Sequence, residues 1–271
     1  MDLEIICRYP VRERLRRPAL LFVHGAFCGA WVWDEHFLPY FADRGYQACA
    51  LSLRGHGRST GRDQLPWAGL ADYVADLQGV ISRLGRPPVL IGHSLGGVIV
   101  QRYVRTQRAP AVILMASGPP HGMLPSAVGM AFRNPLLFQE LCLVSAAGLR
   151  ANSLELLMDA LFSKAMPRPE AMRYMARMQG ESARISLELM WPDFPSAAAN
   201  LSMPLLVLGA EQDAFVSPLI VHATARVYGT TAEILADVSH AMMLDVGWEG
   251  VAQKVAAWLE DVLERNEAKM G

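Results

Sequence analysis

Short uninterrupted apolar runs alternate along this chain with longer segments whose apolar positions recur at helical spacing. The runs at 19–23, 47–51, 89–91, 111–116, 205–208 and 232–235 lack polar alternation, as parallel strands covered on both faces do. A run at 4–9 reads as a strand at a sheet edge. Between the runs, 31–41 predicts a helix with Gly45 beyond its end, and 67–84 predicts another, with Leu70, Tyr73, Val74, Leu77, Val80 and Ile81 on one face. Gly85 and Pro87 close the second. Leu95, Val98, Ile99, Tyr103 and Val104 mark a third helix, while 217–228 opens on Ser217-Pro218, a cap residue followed by a first-turn proline. The stretch 248–265 turns Val251, Val255, Trp258, Leu259 and Val262 inward. Such alternation predicts an α/β fold: a mostly parallel central sheet with helices on both faces, binding ligands outside the carboxyl ends of its strands.

The alternation is interrupted once. From 120 to 195 the pattern is helical, rich in methionine (Met123, Met130, Met158, Met166, Met172, Met175, Met178 and Met190) and broken by Pro135, Pro167 and Pro169. We read 1–119 and 196–271 as the core and 120–195 as a helical lid inserted into it. The methionines serve as core, and their flexible thioethers also suit the wall of an adaptable apolar pocket.

The chemistry starts where the 89–91 run meets the third helix, at Gly92-His93-Ser94-Leu95-Gly96. G-x-S-x-G between a strand and a helix is a nucleophile elbow: the turn is so sharp that the flanking residues must be small, and the serine hydroxyl stands above the sheet at the helix N-terminus. A serine hydroxyl is a poor nucleophile at neutral pH and needs a base whose tautomer a third group fixes. Two loop residues leave later strands in a suitable order, Asp213 after 205–208 and His240 after 232–235. Asp237 and Asp193 are rival acids; the absence of a carboxylate in 116–120, after the 111–116 strand, favours Asp213. Among the other histidines, His93 is expected to point to the opposite side of the elbow in a structural role. His56, in Arg54-Gly55-His56-Gly57, is either a base or, more simply, the residue that holds its turn, and His24 and His36 fall too early in the strand order. Attack on a carbonyl creates an oxyanion; Leu95 N–H supplies one donor, and Ala26, with Phe27 next, supplies the other from the small-residue loop after 19–23. Phe27, Trp31 and Met243 are the expected substrate contacts outside the lid.

Composition removes other classes. With 271 residues, 52% hydrophobic and 19% charged, the chain buries a sizeable core, and a formal charge of −1 leaves no basic footprint for nucleic acid. Arg8, Arg12, Arg14, Arg16 and Arg17 crowd one stretch, which reads as a solvated edge loop. Cys7, Cys28, Cys49 and Cys142 are scattered without C-x-x-C or zinc spacing, so free buried thiols in a reducing compartment are expected, with a single disulfide as the alternative, and no metal or cofactor. No secretory signal is visible at Met1-Asp2-Leu3-Glu4 and no apolar run is long enough to span a membrane, which together predict a cytoplasmic protein.

Over essentially its whole length the chain resembles the α/β-hydrolase superfamily. His24-Gly25-Ala26-Phe27-Cys28-Gly29-Ala30-Trp31-Val32-Trp33, Gly92-His93-Ser94-Leu95-Gly96-Gly97 and Ser239-His240-Ala241-Met242-Met243-Leu244 are similar to the branch of plant methylesterases and hydroxynitrile lyases. The resemblance implies Ser94, Asp213 and His240 as a triad and Ala26 and Leu95 as oxyanion donors. Lyases of that branch carry threonine after the first histidine and lysine after the catalytic one; Gly25 and Ala241 stand there and point to the esterase side. Serine at 94, where dehalogenases and epoxide hydrolases carry aspartate, points the same way. The expectation is a serine hydrolase of small carboxylic esters without cofactor. The same triad also suits cleavage of a carbon–carbon bond, lactone or amide, perhydrolysis, or a small-molecule receptor with little turnover.

Overall fold

The computed structural model describes residues 1–11, 17–147, 154–191 and 203–270. Seven strands form one sheet: β1 (Ile5–Arg8), β2 (Leu20–Val23), β3 (Ala48–Leu51), β4 (Val89–His93), β5 (Val112–Met115), β6 (Leu205–Ala210) and β7 (Ala232–Leu235). Their spatial order is β1-β3-β2-β4-β5-β6-β7, every pairing parallel except the edge pair β1–β3. Parallel neighbours with helical crossovers send all their carboxyl ends to one edge, so the loops after β2, β4, β6 and β7 leave on the same side.

The apolar runs lack alternation because both faces of the sheet are covered. Leu20 and Phe22 of β2, Val89 and Ile91 of β4 and Ile113 and Met115 of β5 enter one hydrophobic cluster. Leu21 and Val23, Leu90, and Val112 and Leu114 enter the other. On the first face Phe22 is surrounded by aromatic rings, with centroids 4.9 Å from Trp33, 6.2 Å from Phe37 and 5.8 Å from Phe41. These rings come from α1 (Trp31–Asp34) and α2 (Phe37–Asp43), where the sequence predicts one helix. Pro39 explains the break, because its ring would meet the carbonyl of Glu35 in a continuous helix yet is tolerated in the first turn of α2.

The helix expected over 67–84 is a 3₁₀ turn at Arg62–Trp67, which holds Pro66, followed by α3 (Leu70–Leu84); Asp72 caps α3 by accepting Gly69 N–H at 2.9 Å. The elbow helix is α4 (Leu95–Tyr103). Between β5 and β6 lie α5 (Leu124–Arg133), α6 (Pro135–Ala147), α7 (Leu154–Leu161), α8 (Arg168–Met175) and α9 (Ala183–Glu188). The chain closes with α10 (Pro218–Val227) and α11 (Trp248–Met270), the latter longer than its apolar pattern predicts. Among the described residues no helix is long and apolar enough to cross a membrane. Arg12, Arg14 and Arg16 of the basic stretch, Asp193 and the boundary at 195–196 lie outside the described residues.

One expectation is overturned. Cys7 and Cys49 form a disulfide, leaving Cys28 (buried) and Cys142 (exposed) free. The antiparallel register of β1 against β3 sets Cys7 directly opposite Cys49, with Cα atoms 4.1 Å apart, close enough for the two side chains to join. Spacing along the chain carries no trace of that register. The expected reducing compartment loses the support it drew from thiols at 7 and 49.

Candidate active site

Ser94 stands between the last residue of β4 and the first of α4, with φ 51° and ψ −117°, a conformation rare for a residue bearing a side chain. The surroundings impose it. Ser94 N–H donates to Met115 O at 3.0 Å, and Ser94 O accepts from Gly97 at 3.0 Å. A Cβ on Gly92 would lie 2.5 Å from Gly96 O, and one on Gly96 would lie 2.2 Å from Val23 O, so only glycine lets the strands and turn approach this closely. The Ser94 side chain makes no cap bond to α4. Leu95 is the first residue of α4, where backbone N–H groups lack intrahelical partners and the helix dipole is positive.

Asp213 and His240, on loops after β6 and β7, meet. His240 Nδ1 donates to Asp213 Oδ2 at 2.8 Å, while Asp213 Oδ1 accepts the amides of Phe215 and Val216, each at 2.8 Å. The Asp213 side chain is inaccessible, so every lone pair left without a donor would cost free energy; its two oxygens receive three. Asp237, the rival in the His240 loop, is exposed and sits at a turn with φ 59°.

His93, expected in a structural role on the opposite side of the elbow, bonds the backbone of the candidate base, its Nε2–H donating to His240 O at 2.9 Å. Burial, with the His240 ring close by, holds its pKa well below the ordinary histidine value, so it is neutral. His24 accepts Leu53 N–H on Nε2 at 3.0 Å and donates Nδ1–H to Gly25 O at 2.7 Å. Burial first, then the charge of His56, lowers its pKa to about 3. His36 stacks on Trp248, ring centroids 4.5 Å apart, and contacts the Tyr174 hydroxyl. His56 holds its own turn through Arg54 O at 3.0 Å, and its other nitrogen lies 3.2 Å from Glu181.

The loop after β2 packs against the elbow. A Cβ on Gly25 would lie 2.8 Å from His93 Nδ1 and 3.1 Å from Ser94 Cβ, so the position where related lyases carry threonine has no room for a side chain. Ala26 follows directly. Phe27, the other candidate donor, has φ 64°, and its N–H faces Glu181 Oε2 at 3.4 Å. Trp31 lies under α8, stacked on Tyr174 (6.3 Å between centroids) with the Arg177 guanidinium 4.1 Å above its ring. Met243 is buried in the larger hydrophobic cluster, against which Phe27 packs. A separate surface groove runs between α4 and the helical segment, lined by Val98, Gln101, Met123, Leu189 and Trp191. None of Ala26, Phe27, Trp31, Ser94, Leu95, Asp213, His240 and Met243 lines it.

Two buried carboxylates that bind loops of the candidate site to the helical segment carry no mark in the sequence. Asp245 accepts Ser239 N–H (3.0 Å), Val246 N–H (2.8 Å), and both the N–H (2.8 Å) and hydroxyl (2.6 Å) of Ser163, binding the His240 loop to the end of α7. Glu181 binds the β2 loop. Their partners lie up to 154 positions away in sequence, so no local signal marks them. Among the described residues no group of three or more histidine, cysteine or acidic side chains is placed to hold a metal.

Comparison with known proteins agrees with this architecture. The chain is 37% identical over 109 residues to a non-heme haloperoxidase of Rhodococcus erythropolis, a match covering 37% of each protein. It is 35% identical over 109 residues to a bifunctional esterase/perhydrolase of Acinetobacter calcoaceticus, covering 38% of each. In both cases the match spans well under half the relative's length. The solved structure of an esterase from Exiguobacterium antarcticum superposes with a TM-score of 0.76 at 14% identity, covering 95% of both chains, which is a likeness of fold. The alpha/beta hydrolase family model matches residues 20–254, and with the seven-stranded sheet and the elbow at Ser94 this establishes that the chain belongs to the alpha/beta hydrolase family.

Proposed function

We propose that the protein is a serine hydrolase of carboxylic esters. The observation that carries the reading is the 2.8 Å bond from His240 Nδ1 to a fully buried Asp213, on loops that leave the same sheet edge as Ser94. That bond places the proton of His240 on Nδ1 and leaves Nε2 as a lone-pair base. Ser94 Oγ attacks the acyl carbon while His240 Nε2 takes its proton. The N–H groups of Ala26 and Leu95 hold the oxyanion, and His240 returns the proton to the departing alcohol. Water, activated by the same histidine, then attacks the acyl-enzyme and frees the acid. Each step uses this chain's own groups. The segment α5–α9 serves as a lid, and Phe27, Trp31 and Met243 wall an apolar acyl pocket beneath it.

The similarity to an esterase/perhydrolase and a haloperoxidase favours one further use of the same acyl-enzyme, attack by hydrogen peroxide in place of water to give a peracid. Purified protein assayed on p-nitrophenyl esters of graded chain length tests the main reading. Multiple turnover is expected, falling by about 10³-fold or more in Ser94→Ala. Retention of activity within about tenfold in that variant, or a stall after one equivalent, would sink the mechanism. Peroxide added to the same assay, with peracid measured, reads the second use.

A further inference from the structure

Residues 179–182, which join α8 to α9, are bonded to the loops around Ala26. Gln179 N–H donates to Phe27 O at 3.0 Å, and its side-chain amide accepts from Gly57 N–H at 2.9 Å and donates to Gly55 O at 2.8 Å. Glu181 reaches deeper. Its Oε1 accepts the Tyr73 hydroxyl at 2.6 Å and Ser182 N–H at 2.7 Å; its Oε2 faces Phe27 N–H at 3.4 Å and His56 Nε2 at 3.2 Å. Ser182 Oγ in turn donates to Ala68 O at 2.6 Å.

Both main-chain groups of Phe27 therefore end on residues 179–181. That is notable because Phe27 has φ 64°, the left-handed region a bulky side chain enters only under constraint. His56 places Nδ1 3.0 Å from Arg54 O and Nε2 3.2 Å from Glu181 Oε2, the second an ion-pair distance without hydrogen-bond alignment, as an imidazolium beside a carboxylate allows. The side chains of His56 and Glu181 are 0% and 2% exposed. A buried ion pair carries a heavy desolvation cost and is weak evidence for stability, which leaves a specified geometry as its use here. The geometry specified here is that of the residue next to Ala26.

We infer that Glu181, paired with His56, is a positioning residue that clamps Phe27 in its left-handed conformation and so aims Ala26 N–H at the oxyanion forming on Ser94. This rests on the ester-hydrolase reading above. The clamp has two consequences. It turns Phe27 N–H away from the oxyanion, leaving Ala26 as the donor from this loop. It also makes the oxyanion hole depend on the seating of the α8–α9 connection, so the helical segment shapes catalysis as well as the pocket.

Glu181→Gln tests the clamp, since it keeps the volume of the side chain and removes its charge. On the best p-nitrophenyl ester, kcat is expected to fall about 30-fold or more, towards the 10²–10³ typical of a lost oxyanion donor, with KM within about threefold of the parent. Hydrogen exchange gives a readout independent of turnover: the amides of residues 26–28 should lose protection by about tenfold or more while those of β4 and β5 keep theirs. His56→Gln should do the same, and the double variant should fall no further than either single one, as expected of two groups acting as a unit. A kcat within threefold of the parent, unchanged exchange at 26–28, or a loss of protection spread through β4 and β5 would overturn the assignment. Should the parent show no Ser94-dependent turnover, the ester reading falls, and exchange at 26–28 alone upholds or overturns the clamp.

Discussion

Asp213 illustrates how much one side chain is asked to do. One oxygen is held by two backbone amides, which leaves only the other to face His240 and gives the carboxylate a single orientation. Asn in its place would keep Oδ1 on those amides and turn an NH₂ group towards the imidazole. His240 would then accept on Nδ1 and carry its proton on Nε2, the tautomer that cannot take a proton from serine. We expect Asp213→Asn to lower kcat by about 10⁴-fold on the same ester, with little change in thermal midpoint. A loss smaller than about tenfold would show that Asp213 does not set the tautomer. Positive φ values at Ser94 and Phe27 belong to this scale too: both are strained residues fixed by their neighbours, on the two loops that frame the candidate oxyanion site.

At the scale of elements, β1 is one of the two edge strands of the sheet. It is four residues long, pairs with β3 alone, and is only partly buried. The Cys7–Cys49 bond ties it across a sequence separation of 42, a loop whose closure restricts the unfolded chain by an amount equivalent to about 4 kcal/mol in the entropic account, within a usual range of about 2–4. Thiol titration of the unreduced, unfolded protein should find two free thiols per chain out of four cysteines. Cys7→Ser with Cys49→Ser should lower the denaturation midpoint to match the reduced parent. Four titratable thiols, with a midpoint insensitive to reductant, would contradict the pairing.

For the whole molecule, buried histidines set the dependence of stability on pH. His24 and His93 are held neutral, their folded pKa values below the unfolded one, so the unfolded chain binds protons first as pH falls. Their contribution is intact above about pH 6.5 and is lost below it, each approaching a slope of about 1.4 kcal/mol per pH unit. His56 runs the other way. Burial opposes its charge, but the Glu181 carboxylate, helped by the Arg54 carbonyl on Nδ1, outweighs burial and the nearby Arg62 and raises its pKa. Its contribution is complete below about pH 6.5 and is lost as pH rises through the folded value. Glu181, with its pKa lowered, contributes above the ordinary carboxylate value and loses that contribution in acid. Stability should therefore peak near neutrality, and His56→Gln should flatten the alkaline limb; the acid limb shifts as well, because His56 also helps to lower the Glu181 and His24 pKa values. Denaturation midpoints from pH 4 to 9 check this; an unchanged alkaline limb in the variant would remove His56 from the account.

What local sequence determined was whatever depends on neighbours along the chain. Apolar runs without alternation specify strands buried on both faces, and Gly92 and Gly96 specify a turn that bulkier residues would obstruct. The order in which Ser94, Asp213 and His240 follow their strands specifies which loops share an edge. Even the break between α1 and α2 was present in Pro39, though overlooked. Tertiary structure alone decided what depends on register and on the return of the helical segment. Cys7 meets Cys49 because β1 runs antiparallel to β3; Asp245 meets Ser163 and Glu181 meets Phe27, His56 and Tyr73 because distant segments fold back on the core. The physical reason is the range of the interactions. Periodicity and turn sterics act within a few residues and leave a mark there, whereas a buried carboxylate is defined by donors that only the completed fold assembles around it.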